Sequence, residues 1–226
     1  MGDTGSHVPG RVFRCICPPD NRPPVPSDLV CEDRYRDGSR LPEGVRASFS
    51  RLSVVGWPVA IFIDGACRGN GQPGARAAFG VYTARNSPHN TWDVLPNWAR
   101  HTNQVAEIYA AQQAVDIILN DSNWEGWQNG VVLVTDSTYL FLSMTRYIHN
   151  WSSNGFLDAN GRPVVNRQAF EQLDSSICAL ERRGIKILFW RVDREHNQDA
   201  DHLANLALGP QRRCRACFEP LWIEVE

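Results

Sequence analysis

Four acidic residues stand at positions where a carboxylate is hard to explain as surface decoration: Asp64, Glu107, Asp136 and Asp201. Asp64 ends the apolar run PVAIFIDG, and Asp136 ends GVVLVTDS. A strand covered on both faces is apolar throughout, so a carboxylate at its end needs a partner. In an open α/β sheet, sites form outside the carboxyl ends of the strands. Two acids there, joined by two more on helices, would make an oxygen cage for hard divalent cations. Taken one at a time, an Asp after a strand is more often a helix cap or a turn residue.

The segments around the acids must form a layered domain to bring them together. VAIFID (59–64) reads as a strand, AAFGVYTA (77–84) as a second after the turn-rich GNGQPG, and TWDVLP (91–96) as a weak third. HTNQVAEIYAAQQAVDIIL reads as a helix with Thr102 as N-cap, its stripe carried by Val105, Ile108, Tyr109, Gln112, Val115 and Leu119. VVLVTD (131–136) is a buried strand, followed by a helix to about 149 and a Gly/Asn/Pro loop (154–163). A helix near 166–183, a strand IKILFWRV (185–192) and a short helix QDADHLANLALG complete the order. Strands and helices in this order predict an α/β fold, a mixed sheet flanked by helices on both faces. Residues 1–55, rich in Pro, Gly, Arg and Asp, read as an irregular extension; 56–209 are the folded domain and 210–226 a tail.

Composition sets further bounds. The chain has 226 residues, 42% hydrophobic and 21% charged, enough for a substantial core. A net charge of −2 excludes binding to nucleic acid through bulk charge, so any such contact must be local. No apolar run reaches the roughly 18 residues of a membrane span. The N-terminal MGDTGSHVPG has no apolar signal region, and its acids and prolines do not suit a transit peptide. An intracellular protein, nuclear or cytoplasmic with an organelle left open, is the expectation. Seven cysteines without an export signal argue against a disulfide scaffold.

The segments FIDGACRGNG, TNQVAEIYAA, VTDS and AD-x-LAN, in this order, resemble the four signature segments of type 1 ribonuclease H. The resemblance covers about residues 57–209, and NWSSNGFLDANGRPVVN is similar to the eukaryotic form. It implies a ribonuclease H-like fold with a five-stranded mixed sheet, three antiparallel strands followed by parallel ones. It also implies an endoribonuclease that hydrolyses the RNA strand of RNA–DNA hybrids, leaving 5′-phosphate and 3′-hydroxyl ends. Asp64, Glu107, Asp136 and Asp201 would then hold two Mg²⁺ ions, with Mn²⁺ as an alternative, Asp64 bridging the two.

The same resemblance assigns the surroundings. Gly65, Asn70, Asn103 and Gln104 match positions at the RNA strand, where the 2′-hydroxyl both donates and accepts. Arg100, Thr102 and Asn166 match a pocket for a phosphate of the DNA strand, and Tyr147 and Trp151 line the channel for that strand. On residue type alone, Asn70 is also a turn residue, and an aromatic pair spaced i, i+4 is also a core pair. The family's loop histidine has no matched counterpart. His196 in VDREHNQDAD is the nearby candidate for a catalytic role or a surface residue, and Arg194, Glu195 and Asn197 resemble members that lack the histidine. Between residues 151 and 165 Arg162 is the only cation, which predicts weak hybrid affinity and a small salt dependence. The loop before Asp201, shorter than in the eukaryotic form, and the acidic balance motivate the alternative reading, a hybrid- or RNA-binding module with little catalysis. A monomer with no membrane contact is expected. Cys15, Cys17, Cys31, Cys214 and Cys217 could supply a structural zinc site stapling the extension to the domain; free thiols are the alternative.

Overall fold

The computed structural model describes Arg11, residues 58–121, Trp127 and residues 130–209. The terminal cysteines at 15, 17, 31, 214 and 217 lie outside the described residues. Five strands form one sheet in the order β3-β2-β1-β4-β5. They are β1 (Val59–Arg68), β2 (Arg76–Tyr82), β3 (Thr91–Val94), β4 (Val131–Thr135) and β5 (Ile187–Arg191). β1–β2 and β2–β3 are antiparallel, whereas β1–β4 and β4–β5 are parallel. This is the mixed sheet the sequence predicts.

Helix α1 (Asn103–Asn120) opens at Thr102, whose Oγ1 accepts from the Val105 amide at 3.3 Å, as predicted. Its buried surface is wider than the predicted stripe. Ala106, Ala110, Ala111 and Ala114 are all inaccessible, while Val105, Tyr109 and Leu119 are only half-buried. The alanines let the helix axis approach the sheet closely, so the larger residues fall on the flanks. The next helix does not stop near 149. Helix α2 (Thr138–Leu142) passes through a π-helical turn, Ser143–Tyr147, into α3 (Ile148–Asn154), which Gly155 ends at φ 75°. Helices α4 (Arg167–Arg182) and α5 (Gln198–Ala207) complete the domain.

The alternation of β residues separates two layers. Ile61, Ile63, Leu133 and Phe189 pack with Ala110 and Ala114 of α1 and with Leu173 and Ile177 of α4. Ala60, Phe62, Val132, Val134 and Trp190 pack on the other face, with Ala200 of α5. Helices thus cover both faces. None of the described helices is long and apolar enough to cross a membrane.

Candidate active site

The sequence places Asp64 at a strand end, but β1 runs on to Arg68. The reason lies in its two neighbours. β1 keeps its antiparallel partner from Phe62↔Tyr82 to Arg68↔Arg76, while the parallel pairing with β4 stops at Phe62↔Val134. Asp64 is therefore within a strand, just where the sheet changes from parallel to antiparallel. Asp64 and Asp136 each stand two residues beyond the last parallel pair, Phe62↔Val134, so both lie at the end of that ladder.

Glycines on either side of Asp64 let the helices reach it. Gly80 pairs with Asp64 across β1–β2. A Cβ on Gly80 would collide with the backbone of Ala200 and Ala204, so α5 and its Asp201 can approach only because that Cβ is absent. A Cβ on Gly65 would likewise collide with the backbone of Ala106 and Glu107 in α1. Gly65 is thus a clearance residue under Glu107, whatever else it contacts. Gly80 escaped the sequence reading, although a glycine inside a strand is a known sign of close approach.

Asp64, Glu107 and Asp136 each offer a carboxylate oxygen, and these oxygens lie within 4.8 Å of one another. Asp64 is 5% exposed and Glu107 5%. Burial pushes the Asp64 carboxyl up to about 8, helped by the charges of Asp136 and Asp201 and by a hydrogen bond shared with Asp136. Burial also pushes Glu107 well above the usual carboxylate range, with Asp64 and Asp136 adding to it, while the Gly65 amide and Arg194 act the other way. Burial first, and then the neighbouring carboxylates, keep the Asp64 carboxyl protonated near neutral pH.

Asp201 is brought to the same cavity but paired differently. Arg194 Nη2 donates to its Oδ1 at 2.6 Å. The cavity, about 490 Å³, is lined by all four acids together with Asn103 and Arg194. Asn197, 1% exposed, ties the site from behind: its Nδ2 donates to the Ile63 carbonyl at 3.0 Å and to Asp136 Oδ1 at 3.2 Å. The sequence reading named Arg194 and Asn197 only as loop residues; which acid each would touch had no local signal.

The donor set fits hard divalent cations. It is all oxygen, three of its members are gathered without a cation, and Glu107 Oε2 is buried with no hydrogen-bond partner among the described residues.

The remaining candidates spread around this cavity. Asn70, in the turn Gly69–Gly71, accepts from the Asn103 amide at 3.1 Å, linking the β1–β2 turn to the start of α1. Asn103 Nδ2 reaches Glu107 Oε1 at 3.5 Å, and Gln104 beside it is exposed. Arg100 is exposed, and its carbonyl accepts from the Thr102 amide at 3.0 Å. Asn166 precedes α4 at φ 60° and donates to the Tyr139 hydroxyl at 3.1 Å. Tyr147 is 39% exposed, with its ring 5.7 Å from that of Trp151. Trp151 in turn packs on Phe170 at 5.4 Å, so it is part core residue and part surface. His196 does not line the cavity; its Nε2 lies 3.4 Å from Glu195 Oε1.

A mixed sheet with a carboxylate cluster at the parallel-to-antiparallel junction defines the class to which comparison then gives a family. The RNase H family model matches residues 57–208, and the chain belongs to that family as a type 1 member. It is 34% identical over 159 residues to Ribonuclease H1 of Homo sapiens, covering 68% of this chain and 51% of that protein. It is 31% identical over 156 residues to Ribonuclease H of Pectobacterium carotovorum, covering 67% of this chain and 90% of that protein. The chain thus spans about half the length of the mammalian relatives it matches. Among solved structures, LC9-RNase H1, a type 1 RNase H with the type 2 active-site motif, aligns with a TM-score of 0.51 at 26% identity, covering 70% of this chain and 75% of that one.

Proposed function

We propose that this chain is an endoribonuclease that hydrolyses the RNA strand of RNA–DNA hybrids with divalent cations held by Asp64, Glu107, Asp136 and Asp201, leaving 5′-phosphate and 3′-hydroxyl ends. The observation that carries this reading is the gathering of Asp64, Glu107 and Asp136 within 4.8 Å, with Asp201 on the same cavity. Two bound ions would supply positive charge to the attacking water and to the leaving oxygen of an in-line displacement. The chain's own groups prepare for this. Asn197 fixes the Asp136 carboxylate, the Gly65 amide fixes Glu107, and the proton that Asp64 shares with Asp136 must leave before the acids can ligate.

The rim offers a basis for choosing RNA. Asn70 uses its Oδ1 on the Asn103 amide, which leaves its Nδ2 as a donor. Asn103 turns its Nδ2 toward Glu107, which leaves its Oδ1 as an acceptor. One donor and one acceptor beside the cage complement a 2′-hydroxyl, which has both capacities. Exposed Tyr147 supplies aromatic surface for the deoxyriboses of the other strand.

The test is Asp136→Asn assayed on a labelled hybrid with Mg²⁺ and with Mn²⁺. Cleavage is expected to vanish while hybrid binding, measured by fluorescence anisotropy, persists. Undiminished cleavage would reject the assignment; a wild-type chain that binds the hybrid without cutting it in either metal would favour the binding-module alternative.

A further inference from the structure

β5 is the last strand of the sheet, and such an edge presents unpaired backbone groups. The Val192 amide donates to Thr135 in β4 at 3.0 Å. Residues in a parallel ladder face a given neighbour alternately, so the amide of Phe189, three positions earlier, points away from β4 to the open edge. That amide donates to the carbonyl of Arg11 at 2.7 Å. The Arg11 side chain then runs to α4, whose Asp174, Cys178 and Glu181 form one stripe at i, i+4 and i+7. Nη1 donates to Asp174 Oδ1 at 2.6 Å; Nε and Nη2 donate to the two oxygens of Glu181 at 3.2 and 3.3 Å; Nη2 also lies 3.6 Å from Cys178 Sγ. The guanidinium is only 8% exposed at the side chain, between acids that are 17% and 35% exposed.

We propose that the β5 edge at Phe189, together with the acidic stripe of α4, is a docking site for the N-terminal segment of this same chain, with Arg11 as its latch. Three observations select this occupant. The seated residue comes from the chain itself. One cation meets two anions, the complement a buried arginine needs. Backbone and side chain of one residue engage two different elements, the edge strand and the helix behind it, which fixes the position of Arg11. The segment thereby also covers an amide that would otherwise invite edge pairing with another molecule. The intervening chain is long, but loop-closure entropy grows only slowly with length.

The experiment compares full-length wild type with Arg11→Met, Arg11→Lys, the pair Asp174→Asn with Glu181→Gln, and all three of Arg11→Met, Asp174→Asn and Glu181→Gln together. Arg11→Met is expected to lower Tm by about 5–10 °C, because it strands two partly buried acids. It is also expected to speed hydrogen exchange at the Phe189 amide by about tenfold or more. Arg11→Lys keeps the charge but loses the fork, so it should fall between. The combined variant should be no worse than Arg11→Met alone, since the groups act as one unit. Unchanged Tm with unchanged Phe189 protection in Arg11→Met would overturn the latch, as would simple additivity. A Tm that climbs with protein concentration, with a dimer in sedimentation, would assign Arg11 to a second copy and overturn docking within one chain.

Discussion

Two regions of this molecule bury charge, and they do so with opposite logic. At the β5 edge one guanidinium is enclosed by the carboxylates of Asp174 and Glu181, so each charge meets its complement. At the sheet junction the carboxylates of Asp64, Glu107 and Asp136 gather with no ion pair to a cation among the described residues, and Arg194 pairs with Asp201 at the rim. The first arrangement holds the native state together. The second weighs against it, a cost more usual at a functional site than in a structural pairing. The same residue type, a carboxylate near a helix, therefore does two jobs, and the sign of its nearest charged neighbour decides which.

The sharpest way to break this contrast is to neutralise one acid on the cage. Asp64→Asn should lower hybrid cleavage by about a thousandfold. Without metal at pH 8, however, it should raise Tm by about 2–4 °C, because it relieves burial and like-charge repulsion. Arg11→Met should do the reverse, lowering Tm while leaving cleavage intact well below the transition. Calorimetry and a hybrid cleavage assay on both variants check the pair; a Tm fall in Asp64→Asn would show that the cage stabilises the fold after all.

Next in size is the clearance that assembles the cage. Gly80→Val should push α5 off β2, cost about 1–3 kcal/mol of stability and separate Asp201 from Asp64. Urea unfolding measures the first effect, and a shallower dependence of cleavage on Mg²⁺ concentration reports the second.

The pH dependence of stability separates the regions without mutation. The folded-state value of Asp64, about 8, lies above its ordinary 3.8, and Glu107 is shifted the same way. Between these values the folded protein holds more protons than the unfolded chain. The contribution of these two groups to metal-free stability should therefore be fully present near pH 4 and be lost as pH rises toward 8. Mg²⁺ should flatten that fall and release protons on binding, which calorimetry in two buffers of different ionisation enthalpy would count. If the metal-free Tm advantage of Asp64→Asn over wild type does not grow as pH rises toward 8, the clustered geometry is contradicted.

The smallest expected effect is at the rim. Arg194 competes for Asp201 with any incoming cation, but its side chain is 76% exposed and the pair is screened. Arg194→Ala should tighten Mg²⁺ binding by about threefold, read from the metal dependence of Tm. Weaker binding would show that Arg194 supports the site instead of guarding it.

Much of this molecule was legible along the chain because the cues are local. Apolar runs marked β1, β4 and β5, and Thr102 marked the start of α1. The acids stood out because each interrupts or adjoins an apolar pattern. What was misread had no local cue. β1 continues past Asp64 because β2 supports it there, and a strand's length depends on its partners. The helix after Ser137 continues past 149 through a π turn that side-chain spacing does not announce. For His196, left open between a catalytic role and a surface one, the structure gives a contact with Glu195.

The sequence by itself determined the family, the order of elements and the four acids, because hydrophobic period, capping chemistry and signature segments are properties of neighbouring residues. Only the tertiary structure decided that three acids crowd together while Asp201 faces Arg194, and that Gly65 and Gly80 make room for the helices that carry two of them. It alone brought Arg11 to the far edge of the sheet. Charge interactions depend on distance and burial, and residues far apart in the chain acquire both only when the sheet and its helices close around them.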